Sequence, residues 1–241
     1  MPEHPSKKRQ REPHQLPAGR HGLSRQFVAS NQRERILTAV ADVCGATGYV
    51  AMSVEDIVVT SGVSRRTFYD NFRDKEDAYL AAYDEITEQL LNRVSVAYED
   101  AEGLVSKVRE SLVAFLDFVT DEPAFATTCI VEVMAAGNNA IVRRNRAMAA
   151  FAELIEQAAA AELPKSKLPP ALTAETLVGG IYEVVYSRVL KHRSDELRSL
   201  LPDLLFSVLL PYVGLETAGS LLANERRRRP KRATAKQTDR S

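Results

Sequence analysis

Residues 64–75 concentrate side chains that can hydrogen-bond to phosphate groups and to the edges of nucleic-acid bases. Guanidinium groups and hydroxyls bind phosphate oxygens or guanine, an amide can pair with adenine, and a carboxylate can accept from cytosine. The residues that carry such groups are Ser64, Arg65, Arg66, Thr67, Tyr69, Asp70, Asn71 and Lys75. Phe68 and Phe72 stand four residues apart among them, as on one buried helical face. The opposite face of such a helix is then free to contact DNA.

The sequence lacks the residues from which catalytic and metal sites are usually built. Cys44 and Cys129 are too few for a disulfide framework or a cysteine zinc site. Three of the four histidines fall within the first 21 residues, and only His192 lies in the body of the chain. These residues assemble into no Ser/His/Asp, Cys/His or multi-histidine arrangement. We therefore expect no catalytic residues, no metal, no cofactor and no enzymatic activity.

Charge is distributed unevenly, although the chain has 32 basic and 32 acidic residues. Residues 1–30 carry six Lys/Arg and two Asp/Glu, and residues 222–241 carry eight and two. The net charge of the intervening residues is therefore −10. Cationic arms on an acidic body suit a polyanion such as nucleic acid, but solvated tails without a partner explain the same charges. The sequence leaves contact between these arms and DNA open.

The chain shows no segment typical of membrane or exported proteins. No apolar run approaches the roughly 20 residues that span a bilayer. The N-terminus lacks the apolar stretch of a signal peptide. We expect a cytoplasmic protein without a membrane partner.

The elements that must position the polar surface are all helical. Apolar residues at helical spacing predict a first helix over 31–47. Ser53, with Asp56 three residues later, begins a second short helix, and Ser64 begins a third. A fourth helix starts near Asp74, and further helices are predicted over 104–120, 123–136, 139–163, 173–192 and 195–214. No alternating apolar pattern indicates a strand.

The two short helices and the turn over 61–64 form an arrangement typical of a helix-turn-helix. In that motif the second helix lies in the major groove of DNA, and a glycine such as Gly62 commonly stands in the turn. On topology alone the signal is weak, because many helical bundles contain such a corner.

The residues of this region resemble those of a known family. Residues 60–76 read Thr-Ser-Gly-Val-Ser-Arg-Arg-Thr-Phe-Tyr-Asp-Asn-Phe-Arg-Asp-Lys-Glu. They resemble the signature of the TetR family of bacterial transcriptional regulators: glycine-valine-serine, threonine-aromatic-tyrosine, phenylalanine, then lysine-glutamate. Arg35-Ile36-Leu37, Gly48-Tyr49 and the helix start at Ser53 also agree. The resemblance covers residues 32–80, and the rest of the chain agrees in length and helix count only.

The resemblance implies roles for individual side chains. It implies that Tyr69 and Lys75 bind phosphates, that Thr67 touches phosphate or base, and that Arg65, Arg66 and Asp70 face bases. Ser53 stands at a helix N-terminus, where backbone N–H groups and a hydroxyl can hold a phosphate. This sequence departs from the family at Asn71, where histidine is common, and at Asp70, where many relatives have an aromatic or basic residue.

In the family, the C-terminal half forms a ligand pocket and a dimer interface. Residues 173–214 are too apolar to be solvated in a monomer, and Gly179-Gly180 in mid-helix suits close packing of another backbone. We expect a homodimer through these residues. Candidate pocket residues for an unknown small-molecule effector are Phe115, Phe118, Phe125, Met134, Tyr182 and Tyr186, although plain core packing explains each of them as well.

The sequence therefore predicts an all-α protein: an N-terminal three-helix helix-turn-helix DNA-binding domain and a C-terminal helical ligand-binding and dimerisation bundle. The predicted boundaries are a disordered basic arm over 1–29, the DNA-binding domain over 30–75, the bundle over 76–216 and a disordered basic tail over 222–241. The predicted function is a TetR-like repressor that a small molecule releases from its DNA operator. The alternative is a helical ligand-binding or scaffold protein without specific DNA binding.

Overall fold

The computed structural model describes residues 25–228, in which every regular element is helical. The N-terminal helices are α1 (Arg25–Thr47), α2 (Val54–Ser61) and α3 (Arg65–Asn71), and the long α4 (Lys75–Glu99) follows them. The C-terminal helices are α5 (Gly103–Asp121), α6 (Pro123–Ala126), α7 (Asn138–Glu162), α8 (Leu172–Leu190) and α9 (Leu201–Arg228). Shorter turns are a π-helical turn, Thr127–Val131, and 3-10 turns over Glu132–Met134, Lys165–Lys167 and Ser194–Leu200. The predicted fold class, an N-terminal helix-turn-helix domain and a C-terminal helical bundle, is confirmed.

Side chains from α1, α2, α3 and the start of α4 share one hydrophobic core. Ile36 and Val40 of α1, Ile57 of α2, Phe68 of α3 and Tyr79 of α4 are completely buried in it. Helices as short as α2 and α3 are marginal in isolation. Their orientation therefore depends on this shared core.

A second core fills the C-terminal bundle. It is formed by α5, α8 and α9 through residues such as Leu116, Val185, Leu205 and Leu209. The long α4 packs along α5 and also contacts α1. Helix α4 therefore packs against helices of both hydrophobic cores.

Both terminal helices extend beyond their predicted ends. The predicted arm over 1–29 overlaps α1, which begins at Arg25, because no glycine or proline separates that residue from Asn31. The predicted tail over 222–241 overlaps α9, which continues to Arg228. Glu225 is buried there and binds Arg109 through two hydrogen bonds of 2.8 and 3.2 Å. Residues 1–24 and 229–241, with most of the predicted arm and tail, lie outside the described residues.

The predicted single helix over 123–136 is instead broken into three short turns, α6, the π-helical turn and a 3-10 turn. Tyrosine hydroxyls reach into this segment: Tyr79 donates to the carbonyl of Thr128 (2.7 Å) and Tyr182 to that of Ile130 (2.7 Å). These side-chain donors satisfy carbonyls that a regular α-helix would bond to its own N–H groups. We call residues 123–134 the bridging segment.

The last predicted helix, 195–214, also differs. Residues 194–200 form a 3-10 turn, and α9 begins at Leu201, because Pro202 lacks an N–H and suits the first turn of a helix. Gly214 breaks α9 with a φ of 80°.

The stretch Ser194–Arg227 is long and apolar enough to cross a membrane by length and composition, contrary to the expectation from the sequence. Its residues Leu205 and Leu209 are buried in the second core, as in a core helix of a globular protein.

Candidate nucleic-acid interface and ligand cavity

Local hydrogen bonds hold α2 and α3 in a helix-turn-helix. The Ser53 hydroxyl accepts from the Asp56 N–H (3.2 Å), and the Asp56 carboxylate accepts from the Ser53 N–H (3.0 Å), a complete capping box. Gly62 ends α2 with a φ of 63°. A Cβ at Gly62 would lie 2.9 Å from the guanidinium of Arg35, which donates to the Ser61 carbonyl. Glycine therefore meets both the backbone and the space requirement of this turn.

The exposed face of α3 carries the side chains predicted to meet DNA bases. Arg66 is 91% exposed and approaches Asp70 at 3.9 Å, and Arg65 pairs with Glu55 of α2 at 3.2 Å. Tyr69 is 49% exposed, and its ring packs edge-on against buried Phe68. These weak surface ion pairs cost little to exchange for DNA contacts. The structure thus brings Arg65, Arg66, Tyr69 and Asp70 to one solvent-facing surface.

The remaining polar candidates of the motif bind the helix itself. The Ser64 hydroxyl accepts from the Thr67 N–H (3.0 Å) and lies 2.8 Å from the Thr67 hydroxyl, and the Asn71 amide donates to the Thr67 carbonyl (2.8 Å). Ser53 and Ser64 are exposed at helix N-termini, where a hydroxyl serves both the cap and a phosphate. Phosphate binding by these side chains stays a prediction.

Lys75 has a structural task that the sequence did not reveal. Its ammonium donates to the carbonyls of Tyr49 (3.1 Å), Val50 (3.3 Å) and Met52 (2.9 Å), and it lies 4.8 Å from the centre of the Tyr49 ring. These contacts use all three ammonium hydrogens and fix the turn between α1 and α2. A phosphate contact by Lys75 would compete with them and stays a prediction.

The bridging segment touches the DNA-binding domain at several points. The Glu132 carboxylate accepts from the Tyr49 N–H (2.8 Å), in the same turn that Lys75 holds. The buried Thr128 hydroxyl donates to the Ala41 carbonyl of α1 (3.2 Å). A Cβ at Gly45 would lie 2.9 Å from the Ala124 Cα, so α1 and α6 are in backbone contact.

A largely apolar cavity lies on the other side of the bridging segment. It has a volume of about 130 Å³ and lies within the bundle of α4, α5, α7, α8 and α9. This is smaller than the roughly 300–1,000 Å³ of pockets that bind small molecules, so a ligand of that size would have to widen the cavity. Its lining includes Leu90 and Val94 of α4, Phe151 of α7, and Cys129 and Ile130 of the bridging segment. Among its lining residues, Arg144 alone is charged.

Only two of the six predicted pocket residues, Phe115 and Tyr182, line this cavity. Phe118 and Phe125 instead pack with Ala41 and Ile86, because they lie on the side of their helices that faces α1 and α4. Tyr186 stacks on Tyr182 from outside the lining, with ring centres 6.3 Å apart. Met134 is 53% exposed, because the bridging segment ends at the surface there.

The prediction from sequence missed the polar lining residues Tyr83, Thr87, Ser111 and Arg144. The Ser111 hydroxyl and the Arg144 Nε are buried without a hydrogen-bond partner. In the sequence, the only indication of such lining residues is a polar side chain within an otherwise apolar helical face, as at Thr87 and Ser111.

Burial keeps the thiols and phenols beside the cavity neutral. It raises the pKa of Cys44 to about 12, against a smaller lowering by the hydrogen bond with Thr128. Burial likewise raises the pKa of Cys129 and that of Tyr182, where the nearby Arg144 partly offsets it. At neutral pH the Tyr182 phenol is therefore protonated and able to donate to Ile130. Within 25–228 no group of three His, Cys, Asp or Glu side chains is arranged to hold a metal ion.

Comparison with known proteins finds similarity mainly in the N-terminal region. The family model of bacterial regulatory proteins, tetR family, matches residues 36–82. The HTH-type transcriptional activator FasR from Mycolicibacterium smegmatis is 27% identical over 103 residues, which are 43% of this chain and 47% of that protein. The chain thus matches about half the length of this curated relative.

Solved structures share the whole helical fold at low identity. The fatty acid degradation regulator FadR from Bacillus halodurans has a TM-score of 0.66 at 19% identity, over 76% of this chain and 96% of that one. The transcriptional regulator FadR from Bacillus subtilis, in complex with stearoyl-CoA, has a TM-score of 0.65 at 18% identity, over 76% and 98%. At this identity the likeness to these structures shows the fold alone.

Proposed function

We propose that this chain, whose N-terminal domain belongs to the tetR family of bacterial regulatory proteins, is a cytoplasmic, dimeric transcriptional repressor that a long-chain acyl ligand releases from its operator. One observation carries the proposal. The bridging segment lines the cavity with Cys129 and Ile130, and it bonds the DNA-binding domain with Thr128 and Glu132.

Operator binding is assigned to the exposed face of α3. In a helix-turn-helix the N-terminal residues of the second helix contact base edges, and Arg65 and Arg66 occupy that turn. A bidentate arginine contact to guanine discriminates by about 1–3 kcal/mol. Tyr69 lies one turn further along and is placed for a phosphate, which adds affinity without sequence preference.

Dimerisation is assigned to α8 and α9, within the predicted 173–214. Gly180 is exposed, and a Cβ there would meet nothing within 4 Å, so a second backbone has room to approach. Leu177 and Val184 of α8 and Phe206 and Leu210 of α9 are only partly buried in the single chain. A two-fold pair would place two α3 helices on half-sites separated by one helical turn of DNA, about 34–36 Å.

The ligand class follows from the cavity and from the structural neighbours. Tyr83 and Tyr98 mark the extremes of the lining on α4, and at 1.5 Å per residue they are about 22 Å apart. A long acyl chain suits this elongated apolar space, and a FadR of the same fold was solved with stearoyl-CoA. We propose such a chain as the effector here.

Release requires that the ligand favour a conformation that fits DNA poorly. An acyl chain that occupies the cavity presses on Ile130, and the bridging segment moves with it. Because Thr128 and Glu132 bond α1 and the α1–α2 turn, this movement reorients the DNA-binding domain and changes the spacing of the two α3 helices.

Activation is the second candidate, because the relative from Mycolicibacterium smegmatis is named an activator. In that case the acyl ligand would strengthen operator binding. The same cavity would bind the ligand, and the same bridging segment would transmit its effect to the DNA-binding domain.

The test is a mobility-shift titration with the DNA upstream of the protein's own gene, with and without stearoyl-CoA. We expect a sequence-specific complex, weakened by stearoyl-CoA for a repressor and strengthened for an activator. Arg66→Ala is the variant for α3. Gly180→Trp is the variant for the dimer and should sediment as a monomer. Equal affinity for specific and random DNA would instead support the scaffold alternative.

A further inference from the structure

The one charged lining residue of the cavity, Arg144, lies at one end of its long axis. Glu76 of α4 binds Asn139 of α7 (3.0 Å), and further along both helices Asp84 pairs with Arg143 (2.9 Å), so the two helices run in the same direction. Arg144 therefore lies at the end of the cavity marked by Tyr83 and Thr87.

The opposite end of the cavity has no charged lining residue. It is lined by Val94, Val108 and Ile155, by the ring of Tyr98 and, one turn after Lys107, by the hydroxyl of Ser111. The cavity thus has one charged end and an uncharged, mostly apolar remainder.

Arg144 has a charge but no carboxylate partner. Its guanidinium lies 4.0 Å from the centre of the Tyr182 ring, and one terminal nitrogen donates to the Asn145 side chain (2.9 Å). Its Nε is buried and has no hydrogen-bond partner. Arg109 and Arg143 of the same bundle both pair with carboxylates. Because the Arg144 side chain is half-buried and its enclosed Nε lacks a partner, an anionic oxygen beside this Nε would add a charge-assisted hydrogen bond.

The entrance beside Arg144 does not suit a large polyanion. An open groove shares Tyr83, Thr87 and Ala147 with the cavity and continues between α4 and α7. Its charged residues are two arginines and three acids, namely Arg143, Arg146, Asp84, Glu85 and Glu88. A head group with several phosphates would meet this net negative surface, whereas a single carboxylate would reach Arg144 inside it.

We infer that Arg144 binds the carboxylate of a free long-chain fatty acid, whose chain extends along α4 toward Tyr98. This inference rests on the proposed function and adds the head-group chemistry. A thioester to coenzyme A offers no carboxylate to Arg144, and its phosphates would lie in the acidic groove.

The test is equilibrium dialysis with three radiolabelled probes, each below its micelle concentration: stearate, its uncharged methyl ester and stearoyl-CoA. A charge-assisted hydrogen bond predicts that the wild-type protein binds stearate at least about tenfold more tightly than methyl stearate. Stearate should also bind more tightly than stearoyl-CoA.

Arg144→Met keeps the volume and removes the charge. It should lower stearate affinity by about tenfold or more and leave methyl stearate affinity unchanged. Arg193→Met is the control, because this arginine lies outside the linings of both the cavity and the entrance groove, and it should leave both affinities unchanged. Arg144→Lys retains charge without the guanidinium fork and should bind stearate with intermediate affinity.

Operator binding without ligand separates this inference from the proposed function. Arg144→Met should bind operator DNA as the wild type does, which also shows that it is folded. Wild-type stearate affinity in Arg144→Met, or tighter binding of stearoyl-CoA than of stearate by the wild type, would overturn the inference and leave DNA regulation by an acyl ligand intact. Loss of specific operator binding in the wild type would instead overturn the proposed function.

Discussion

Replacing Glu132 with alanine should weaken the coupling between the ligand cavity and the helix-turn-helix. Glu132 begins the last turn of the bridging segment, and its carboxylate accepts a 2.8 Å hydrogen bond from the Tyr49 N–H, in the turn between α1 and α2. Lys75 holds the same turn from within the DNA-binding domain. Alanine removes the attachment of this turn to the bridging segment and leaves intact the bonds from Lys75 and the Thr128–Ala41 hydrogen bond.

The expected magnitude follows from the type of hydrogen bond. A hydrogen bond to a charged group contributes about 1.5–3 kcal/mol, and allosteric couplings are typically about 1–3 kcal/mol. Loss of this one bond is therefore comparable in size to a typical coupling. Because the Thr128–Ala41 hydrogen bond remains as a second contact, the effect of ligand on operator affinity should shrink by up to about tenfold without vanishing. Since the half-buried Tyr49 N–H can bind water instead, Tm should fall by only about 3–6 °C.

The assay is fluorescence anisotropy of a labelled operator duplex, titrated with protein in the presence and absence of saturating stearate. Glu132→Gln is the matched control, because its amide oxygen can accept from the Tyr49 N–H without a charge. It should retain most of the ligand effect. A Glu132→Ala protein that binds stearate and responds to it as the wild type does would refute the bridging segment's role in transmission through this contact.

Three further predictions concern other residues. Arg66→Ala should weaken binding to the selected operator by about 1–3 kcal/mol and random DNA far less, whereas deletion of residues 229–241 should weaken both equally in competition assays. Lys75→Met should lower Tm because three carbonyls lose a donor. If the salt dependence of operator binding also flattens by about 0.9 in slope, Lys75 contacts a phosphate as well, whereas an unchanged slope would exclude that contact. Because burial raises its pKa to about 12, Cys44 is a neutral thiol at pH 8. It should react with a disulfide reagent much more slowly in the folded protein than in urea, and fast reaction before unfolding would contradict this.

The helix-turn-helix could be predicted from the sequence because its determinants are local. A capping box spans four residues, Ser53 to Asp56, and the turn needs only Gly62 in the left-handed region. The aromatic pair Phe68 and Phe72 selects the buried face of α3 by spacing alone. Each signal lies within one turn of helix, so no knowledge of the rest of the fold is needed.

The cavity could not be predicted in the same way, because its lining comes from five helices and from the bridging segment. Phe115 lines it and Phe118 does not, although both are aromatic residues on α5 three positions apart. Arg143 and Arg144 are adjacent, yet one pairs with Asp84 and the other lines the cavity. Only the helix packing decides which of two similar side chains faces the empty space.

In the bridging segment, the irregular backbone places contacts to the cavity and to α1 only two residues apart. Residues 127–131 form a π-helical turn, and such turns occur frequently at functional sites. Within this one turn, the Ile130 carbonyl faces Tyr182 at the cavity, while Thr128 accepts from Tyr79 and donates to Ala41 of α1. A ligand that displaces Ile130 therefore moves a residue only two positions from the one that holds α1. Because Thr128 is completely buried, no solvent gap absorbs that movement. Coupling between the cavity and the helix-turn-helix domain then needs only the Tyr182–Ile130 and Thr128–Ala41 hydrogen bonds, and no long chain of contacts.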